Sequence, residues 1–262
     1  MNYGLQIKDD DPDAYILGGL TQLPKIVYQI NGDWSSYLPA YEPQFNSFYD
    51  SYGCTVWGTQ NIIETLLKRL KEKEYNFSER FNYILAGITP PGADPHYVIE
   101  SVRENGLIAN DKLPMTDSYE EFLKPNPMTD DLLEEGLKFP YEVRHEYVWR
   151  RPLSKEERTE KIREALQYSP LGVSVTAWNE ENGVYVDNGE PNNHWCMLYA
   201  ESANGWLIFD SYDQTKKTLS FDHNIYLCKR IYLQASTKLQ QVSLIKQIIK
   251  KLQELLNKLR GL

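Results

Sequence analysis

The chain has 262 residues, of which 41% are hydrophobic, 13% aromatic and 25% charged. This composition is typical of a packed globular protein and excludes a fully disordered chain. No stretch approaches the ~18 consecutive apolar residues of a membrane-spanning helix. The net charge of −9 disfavours a general nucleic-acid binder, because such proteins are more often basic, and we expect no nucleic-acid partner.

The N-terminal residues, 1–40, contain an acidic turn at Asp9–Asp13 and short β-like runs. They lack the basic and apolar regions of a secretory signal, so we expect a protein that is not secreted by a classical signal. The chain has three cysteines, and this odd, sparse set is typical of a reducing compartment and not of a disulfide framework. The sequence therefore favours a cytoplasmic location.

Helical periodicity dominates the first half of the chain. Apolar residues recur at helical spacing after Cys54, which predicts a helix that begins there, with Asp50 and Ser51 as candidate caps. A second helix is expected from Ser78 and a third around Val98. The first half is thus predicted to be mainly helical.

Strand-like patterns dominate the second half. Residues 111–155 are rich in Pro, Asp and Glu and show helical spacing only around Leu132–Leu137. After a short helix at Ile162–Leu166, β-branched and aromatic runs predict strands at 171–178, 195–200, 206–209, 225–228 and 231–233. The separation of helices from strands along the chain predicts an α+β fold.

The last segment, residues 238–262, predicts one amphipathic helix, because its apolar residues fall on a single stripe. It carries six basic residues and one acidic residue, so the rest of the chain has a net charge of −14. A basic, apolar tail on an acidic body predicts a partner for the tail. The alternatives for residues 238–260 are self-association, docking on the chain's own body, and contact with an anionic membrane surface.

One set of residues is suited to nucleophilic chemistry. Cys54 lies at a helix start, where free N–H groups and the helix dipole favour a thiolate, and Gly53 permits a tight turn before it. His194 precedes one strand and Asp210 closes the next, so a hairpin would bring the carboxylate to the imidazole. His194 follows Cys54 by 140 residues, within the ~130–150 range of papain-type enzymes.

Between residues 34 and 233 the sequence resembles the papain-like cysteine peptidases, in a bacteriophage or bacterial branch. Six segments carry the resemblance in the family's order: Gly53-Cys54 with Trp57, Phe77 to Phe81, Val98 to Met115, Ser169 to Val175, Asn193-His194, and Asp210-Ser211-Tyr212. The resemblance implies a two-lobed papain-like fold, with a helical lobe at 41–145 and a β-barrel-like lobe at 146–235. Residues 1–40 would pack on the β lobe, and a phage-encoded chain would be virion-associated.

Some residues depart from the family's pattern. Thr55 follows the cysteine where the family has Trp, and Asp210 stands where papain relatives have Asn. The glutamine of the oxyanion hole normally lies about six residues before the cysteine, where this chain has Phe48. Gln44 is the first candidate for this hydrogen-bond donor and Asn46 the second.

The resemblance implies hydrolysis of peptide bonds in a peptide or protein substrate, without a cofactor or a metal. Cys54 would form a thioester acyl-enzyme, His194 would give a proton to the leaving amine, and Asp210 would orient His194. Two other functions stay open: an inactive papain-like scaffold or assembly protein, and a Cys-His-Asp amidase or transferase of the transglutaminase type. The transglutaminase type places its histidine much nearer the cysteine.

The remaining histidines and cysteines offer one further alternative, a zinc site. Its ligands would be His194, Cys196, His223 and Cys228. The His-x-Cys spacing along a strand lacks the tight turns of zinc motifs, which disfavours such a site. His96 and His145 have no partner pattern and are expected at the surface.

Overall fold

The structure, a computed structural model, describes residues 3–7, 29–149, 153–212 and 216–235. The predicted amphipathic helix at 238–262 lies outside the described residues, so its form and its partner stay predictions. In the part of the chain that is described, no helix combines the length and the apolar character needed to cross a membrane.

Helices are the main regular elements of the first half of the chain, as the sequence predicts, and one further described helix, Lys155–Leu166, lies in the second half. The described α-helices are α1 (Cys54–Lys71), α2 (Glu79–Leu85), α3 (Pro95–Asn105), α4 (Tyr119–Phe122), α5 (Asp130–Gly136) and α6 (Lys155–Leu166). Side-chain caps explain several starts. Ser78 caps α2 by accepting from the N–H of Phe81, and Ser154 forms a reciprocal capping box with Glu157 at α6.

The strands form one large sheet and one small one. The described strands are β1 (Gly4–Leu5), β2 (Gly92–Ala93), β3 (Tyr141–Trp149), β4 (Leu171–Val175), β5 (Glu180–Glu181), β6 (Val184–Tyr185), β7 (His194–Ser202), β8 (Gly205–Phe209), β9 (Lys217–Leu219) and β10 (Cys228–Ala235). The large sheet has the order β3-β10-β4-β7-β8-β9-β6-β5, and β1 pairs with β2 apart from it. Because β3 and β5 form its two edges, the described sheet is open and does not close into the expected barrel-like lobe.

Strand β3 is the longest element that the sequence did not predict. It pairs with β10 along its whole length and crosses the expected lobe boundary between residues 145 and 146. Polar residues obscure its alternation, because His145 and Glu146 are both buried with partners, one beside Glu100 and the other beside Arg230. Residues Tyr141 to His145 therefore belong to the sheet.

Helix α1 is the central element of the molecule. Every residue from Cys54 to Leu67 is buried, which requires neighbours on all sides. The helix packs against β4, β7 and β10 and also against α2 and α3. Its first residue, Cys54, consequently lies at the junction between the helices and the sheet.

The described parts of residues 1–40 contact both sides of this junction. The backbone N–H of Trp34 donates to Tyr199 O on β7 at 3.0 Å, and its indole N–H donates to Leu166 O at 2.8 Å. On the helical side, Lys68 Nζ donates to Leu38 O at 2.8 Å. This segment thus bridges the helices and the sheet.

Candidate active site

Cys54 is the first residue of α1. Gly53 is the N-cap, and neither Asp50 nor Ser51 caps the helix, because the Ser51 hydroxyl accepts from the Gly53 N–H at 3.1 Å instead. A Cβ atom on Gly53 would come within 2.5 Å of the Trp57 ring, so the turn before the cysteine suits glycine alone. The first-turn N–H groups have no partner within the helix and favour negative charge at Cys54.

His194 and Asp210 are brought together by one hairpin. His194 is the first residue of β7, and Asp210 directly follows β8, its antiparallel neighbour. His194 Nε2 donates to Asp210 Oδ1 at 2.6 Å, and both side chains are 0% exposed. The predicted contact between imidazole and carboxylate therefore forms.

Cys54 and His194 are the first residues of α1 and β7, and these two elements pack against each other. Cys54 belongs to a small apolar cluster that includes Trp195, the residue after His194. A Cβ atom on Gly58, about one turn along α1, would lie within 2.8 Å of the Trp195 ring, so the helix and the strand approach closely. Among the described residues, buried His194 Nδ1 has no hydrogen-bond partner. Asp210 thus binds one imidazole nitrogen, and the other nitrogen has no bound partner in the part of the chain that the structure describes.

Burial dominates the electrostatics of Cys54 in this conformation. It raises the pKa of the Cys54 thiol far above its usual value. Backbone hydrogen bonds from Trp195 and Thr55 lower the pKa, whereas the carboxylates of Asp210 and Asp50 raise it further. The helix N-terminus, which was predicted to favour a thiolate, is therefore outweighed by the loss of solvent.

Residues 3–7 pass directly over this junction. β1 runs parallel to β2, and the Gln6 N–H donates to Ala93 O at 2.9 Å. At the other end, the Tyr3 N–H donates to Asn193 O at 3.0 Å. An extended chain segment is therefore bound between the helical side and the strand that carries His194.

This segment fits its path closely. Gly4 has a φ of 106°, and a Cβ atom on it would lie 2.1 Å from Tyr52 O, so only glycine passes here. Leu5 is 3% exposed and shares the apolar cluster of Cys54. The Tyr3 ring lies edge-on to His194, with 5.5 Å between ring centroids. Residues 3–7 are therefore part of what buries the cysteine.

Gln44, the first candidate for the oxyanion hole, is buried beside the site. Its Oε1 accepts from the Ser211 hydroxyl at 2.9 Å. Its Nε2 donates to Asp50 Oδ1 at 3.1 Å and to Tyr3 O at 3.4 Å. A backbone carbonyl of the covering segment is thus bound by the amide expected to bind a substrate oxygen.

Asn46, the second candidate, is engaged elsewhere. Its Nδ2 donates to Thr116 O at 2.9 Å, and its Oδ1 accepts from the backbone N–H groups of Phe48 and Tyr49. These contacts order its own loop. The geometry therefore favours Gln44 as the hydrogen-bond donor.

Two residues that the sequence did not assign to the site support it. Asp50 accepts from the Tyr212 hydroxyl, and Lys217 Nζ donates to Asp210 Oδ2 at 2.7 Å. Burial by itself would raise the pKa of Asp210, but His194 and Lys217 outweigh it and lower the pKa to about 2. No local motif marks these residues, since Tyr212 is far from Asp50 in sequence and Lys217 follows another lysine.

The prediction that His96 and His145 lie at the surface is wrong. Both are buried around Lys229, whose Nζ is 2.9 Å from His145 Nδ1 and 3.4 Å from His96 Nδ1. His145 Nε2 also contacts Glu100 at 2.7 Å, and burial lowers the pKa of His145 to about 4. These partners come from α3, β3 and β10, so no local sequence pattern connects them.

The residues considered as zinc ligands are engaged separately. His223 Nε2 accepts from the Thr176 N–H at 3.1 Å, and Cys196 and Cys228 are in the main hydrophobic core. Across the described ranges, no three His, Cys, Asp or Glu side chains are placed to hold one metal ion. The three cysteines are free thiols.

No family model matches this chain, and no curated protein matches it. Solved structures do match. The clostridial cysteine protease Cwp84, after propeptide cleavage, is 14% identical with a TM-score of 0.57, over 77% of this chain and 56% of that chain. The cysteine protease and lectin-like domains of Cwp84 from Clostridium difficile are 13% identical with a TM-score of 0.56, over 77% and 50%.

An animal enzyme matches a larger share of the chain. Digestive procathepsin L 3 from the larval midgut of Tenebrio molitor is 13% identical with a TM-score of 0.56, over 88% of this chain and 76% of that chain. The chain spans about half the length of the two clostridial structures. Identities this low establish a common fold and leave the activity open. On this likeness and the geometry above, the chain has the papain-like fold of these cysteine proteases.

Proposed function

We propose that this chain is a cysteine peptidase that hydrolyses peptide bonds through Cys54, His194 and Asp210. The observation that carries the proposal is the buried 2.6 Å contact between His194 and Asp210 beside a cysteine at a helix N-terminus. A base that is oriented by a carboxylate and packed next to a thiol is the arrangement that cysteine nucleophiles require.

The reaction has two halves. First, the Cys54 thiol proton passes to His194 Nδ1, the sulfur attacks the substrate carbonyl carbon, and the C–N bond breaks as His194 returns the proton to the leaving amine. A water molecule then gives a proton to His194, and its oxygen attacks the thioester carbonyl. The C–S bond breaks, and the proton returns to the sulfur. Asp210 accepts from Nε2–H throughout and keeps the imidazole in place.

The developing oxyanion needs hydrogen-bond donors. In the proposed reaction these are the backbone N–H of Cys54 and Nε2 of Gln44. The 3.4 Å contact from Gln44 Nε2 to Tyr3 O supports this role, because it shows the amide within reach of a carbonyl oxygen. Such a donor contributes about 3 kcal/mol of transition-state stabilisation.

The substrate class that the site fits is an extended peptide segment. Residues 3–7 already lie there in extended form and pair with the Gly92–Ala93 backbone. A protein or peptide substrate must displace these residues, because Leu5 is packed in the cluster of Cys54. Backbone pairing of this kind gives affinity without dependence on sequence.

A peptide-library cleavage assay tests the proposal. It compares the full chain with Leu5→Asp, which removes the apolar anchor of the cover, each with and without Cys54→Ala. We expect cleavage, stronger in Leu5→Asp, that Cys54→Ala abolishes. Cys228→Ala is the matched control, because that thiol is equally buried but lies in the main core, and it should keep activity. Failure of Leu5→Asp to cleave, together with no selective alkylation of Cys54, would contradict the proposal.

An inactive scaffold is the second candidate, favoured by the complete burial of Cys54 and its raised thiol pKa. If the chain is a scaffold, displacing residues 3–7 should allow a peptide to bind without being cleaved. The transferase alternative predicts that an added amine is joined to the acyl group in place of water. Mass spectrometry of the products from the same assay separates these outcomes.

A further inference from the structure

Lys217 is an unusual neighbour for a catalytic carboxylate. It is the first residue of β9, its side chain is 1% exposed, and its Nζ donates to Asp210 Oδ2 at 2.7 Å. The other carboxylate oxygen, Oδ1, accepts from His194 at 2.6 Å. One fully buried carboxylate is therefore shared between the imidazole and an ammonium group.

The surroundings of Lys217 are arranged to hold its charge. Its Nζ lies 4.8 Å from the centroid of the Trp178 ring and 5.7 Å from that of Tyr185, within range of cation–π attraction. The neighbouring Lys216 is exposed, as alternation along a strand requires, so only one of two adjacent lysines is turned inward. Burying an ammonium is costly unless it is paired, and Asp210 supplies the pair.

The net charge beside His194 follows from this pairing. A lone buried Asp210 carboxylate would hold the proton on His194 and disfavour a thiolate on Cys54, because negative charge stabilises cations and destabilises anions. The ammonium of Lys217 opposes that field, because its positive charge lies 2.7 Å from Asp210 Oδ2. The Asp210 carboxylate still accepts a hydrogen bond from the imidazole while its charge is offset by Lys217.

We propose that Lys217 is a positioning residue that neutralises Asp210. The carboxylate then orients His194 by accepting its hydrogen bond, and the imidazole remains able to release its proton. This inference rests on the proposed peptidase function for its role in turnover, but the effect on His194 is independent of turnover. The phenol rings of Tyr3 and Tyr212 contact His194, and the carboxylates of Asp210 and Asp50 both act on the Cys54 thiol.

Three variants in the full chain separate charge from packing. Lys217→Met removes the ammonium beside Asp210, Asp210→Asn removes the carboxylate beside Lys217, and the double variant removes one charge of each sign. The midpoint pH of the His194 titration, followed by NMR of labelled imidazoles and assigned with His194→Gln, is expected to rise by about one unit in Lys217→Met and to fall by a similar amount in Asp210→Asn. It should return to within about half a unit of wild type in the double variant. The pH profile of kcat/KM should move in the same directions.

The result that would overturn the proposal is an unchanged His194 midpoint in both Lys217→Met and Asp210→Asn. Lys217 would then be a structural residue whose loss lowers Tm alone. Should Lys217→Met fail to fold, the comparison of Asp210→Asn with the double variant isolates the effect of the Lys217 charge. Lys217→Arg, which keeps that charge, should show the wild-type midpoint. Midpoints that move as expected without any peptide cleavage would support the role of Lys217 and contradict only the peptidase function.

Discussion

The candidate site has a helix wall, which carries Cys54, and a sheet wall, which carries His194, and these two side chains lie in opposite environments. On the sheet wall, His194 is joined to Asp210 and Lys217 through contacts of 2.6 and 2.7 Å. On the helix wall, Cys54 lies among apolar side chains, including Leu5, and burial raises its thiol pKa. Buried charges persist because they are paired, whereas a buried thiol stays neutral. In this conformation the candidate base therefore has its orienting partner, whereas the candidate nucleophile is held as a neutral thiol.

This difference shows on which wall the structure must change before the proposed peptidase activity can occur. The sheet wall consists of paired strands, and Asp210 accepts hydrogen bonds from both His194 and Lys217. On the helix wall, residues 3–7 cover Cys54, because they pack Leu5 into its apolar cluster. We therefore expect perturbations of the sheet wall to cost stability, and perturbations of residues 3–7 to change the reactivity of the thiol.

The largest effect is expected from Asp210→Ala. This change leaves Lys217 and His194 buried without their shared carboxylate, and breaking a buried pair typically costs about 3–5 kcal/mol. Urea unfolding of the variant and the wild type measures the difference in the free energy of unfolding.

A matched control for this prediction is the ion pair of Arg163 and Glu201. It has good geometry, with Arg163 Nε donating to Glu201 at 2.8 Å, but the arginine side chain is 53% exposed. Glu201→Ala should therefore cost less than about 1 kcal/mol. Equal losses at the two sites would contradict the contrast between paired burial and solvent exposure.

Acid should weaken the sheet wall selectively. The pKa of Asp210 is lowered from its ordinary value of 3.8 to about 2, so its contribution to stability is present above pH 3.8 and is lost as the pH falls through about 2. A shift of this size corresponds to about 2 kcal/mol. The free energy of unfolding, measured by urea titration between these pH values, should fall more steeply in the wild type than in Asp210→Asn.

The other groups with lowered pKa values provide the background for that comparison. Burial lowers the pKa of His145 from 6.5 to about 4, so its contribution to stability is lost between these two pH values, above the range in which Asp210 titrates. The hydrogen bond with His145 holds the pKa of Glu100 well below its ordinary value, so protonation of this carboxylate destabilises the fold in the same range as Asp210. Both contributions are common to the wild type and Asp210→Asn and cancel in the difference. Parallel pH curves for the two proteins would show that Asp210 is not the group responsible.

Local patterns explain which parts of this molecule could be predicted from the sequence. The start of α1 at Cys54, the second helix beginning at Ser78 and the hairpin between His194 and Asp210 depend on neighbours in sequence, and all three are observed. The open sheet and strand β3 depend on pairing between distant segments. Polar residues that are buried with distant partners, such as His145, made β3 resemble a loop.

The candidate site follows the same division. The sequence could propose Cys54, His194 and Asp210 from residue type and order, because chemistry restricts which residues can act as nucleophile, base and orienting group. It could not propose Lys217 or the cover by residues 3–7, because burial and charge balance arise only from the three-dimensional packing. Gln44 and Asn46 are both amides that precede Cys54, and only their contacts, with Tyr3 O and with Thr116 O, distinguish the two candidates.

The smallest effect, and the one most specific to the helix wall, is expected from Leu5→Asp. A carboxylate cannot remain in the apolar cluster around Cys54 without a large desolvation cost, so residues 3–7 should move away from Cys54. Solvent then reaches Cys54, its thiol pKa falls, and alkylation by iodoacetamide at pH 7 should accelerate about tenfold or more, equivalent to about 1.4 kcal/mol. Gln6→Asp adds the same charge to the same segment at a half-buried position and should change the rate little. Similar acceleration in both variants, or new labelling of Cys196 in the core, would indicate general loosening of the fold and would contradict a local cover over the nucleophile.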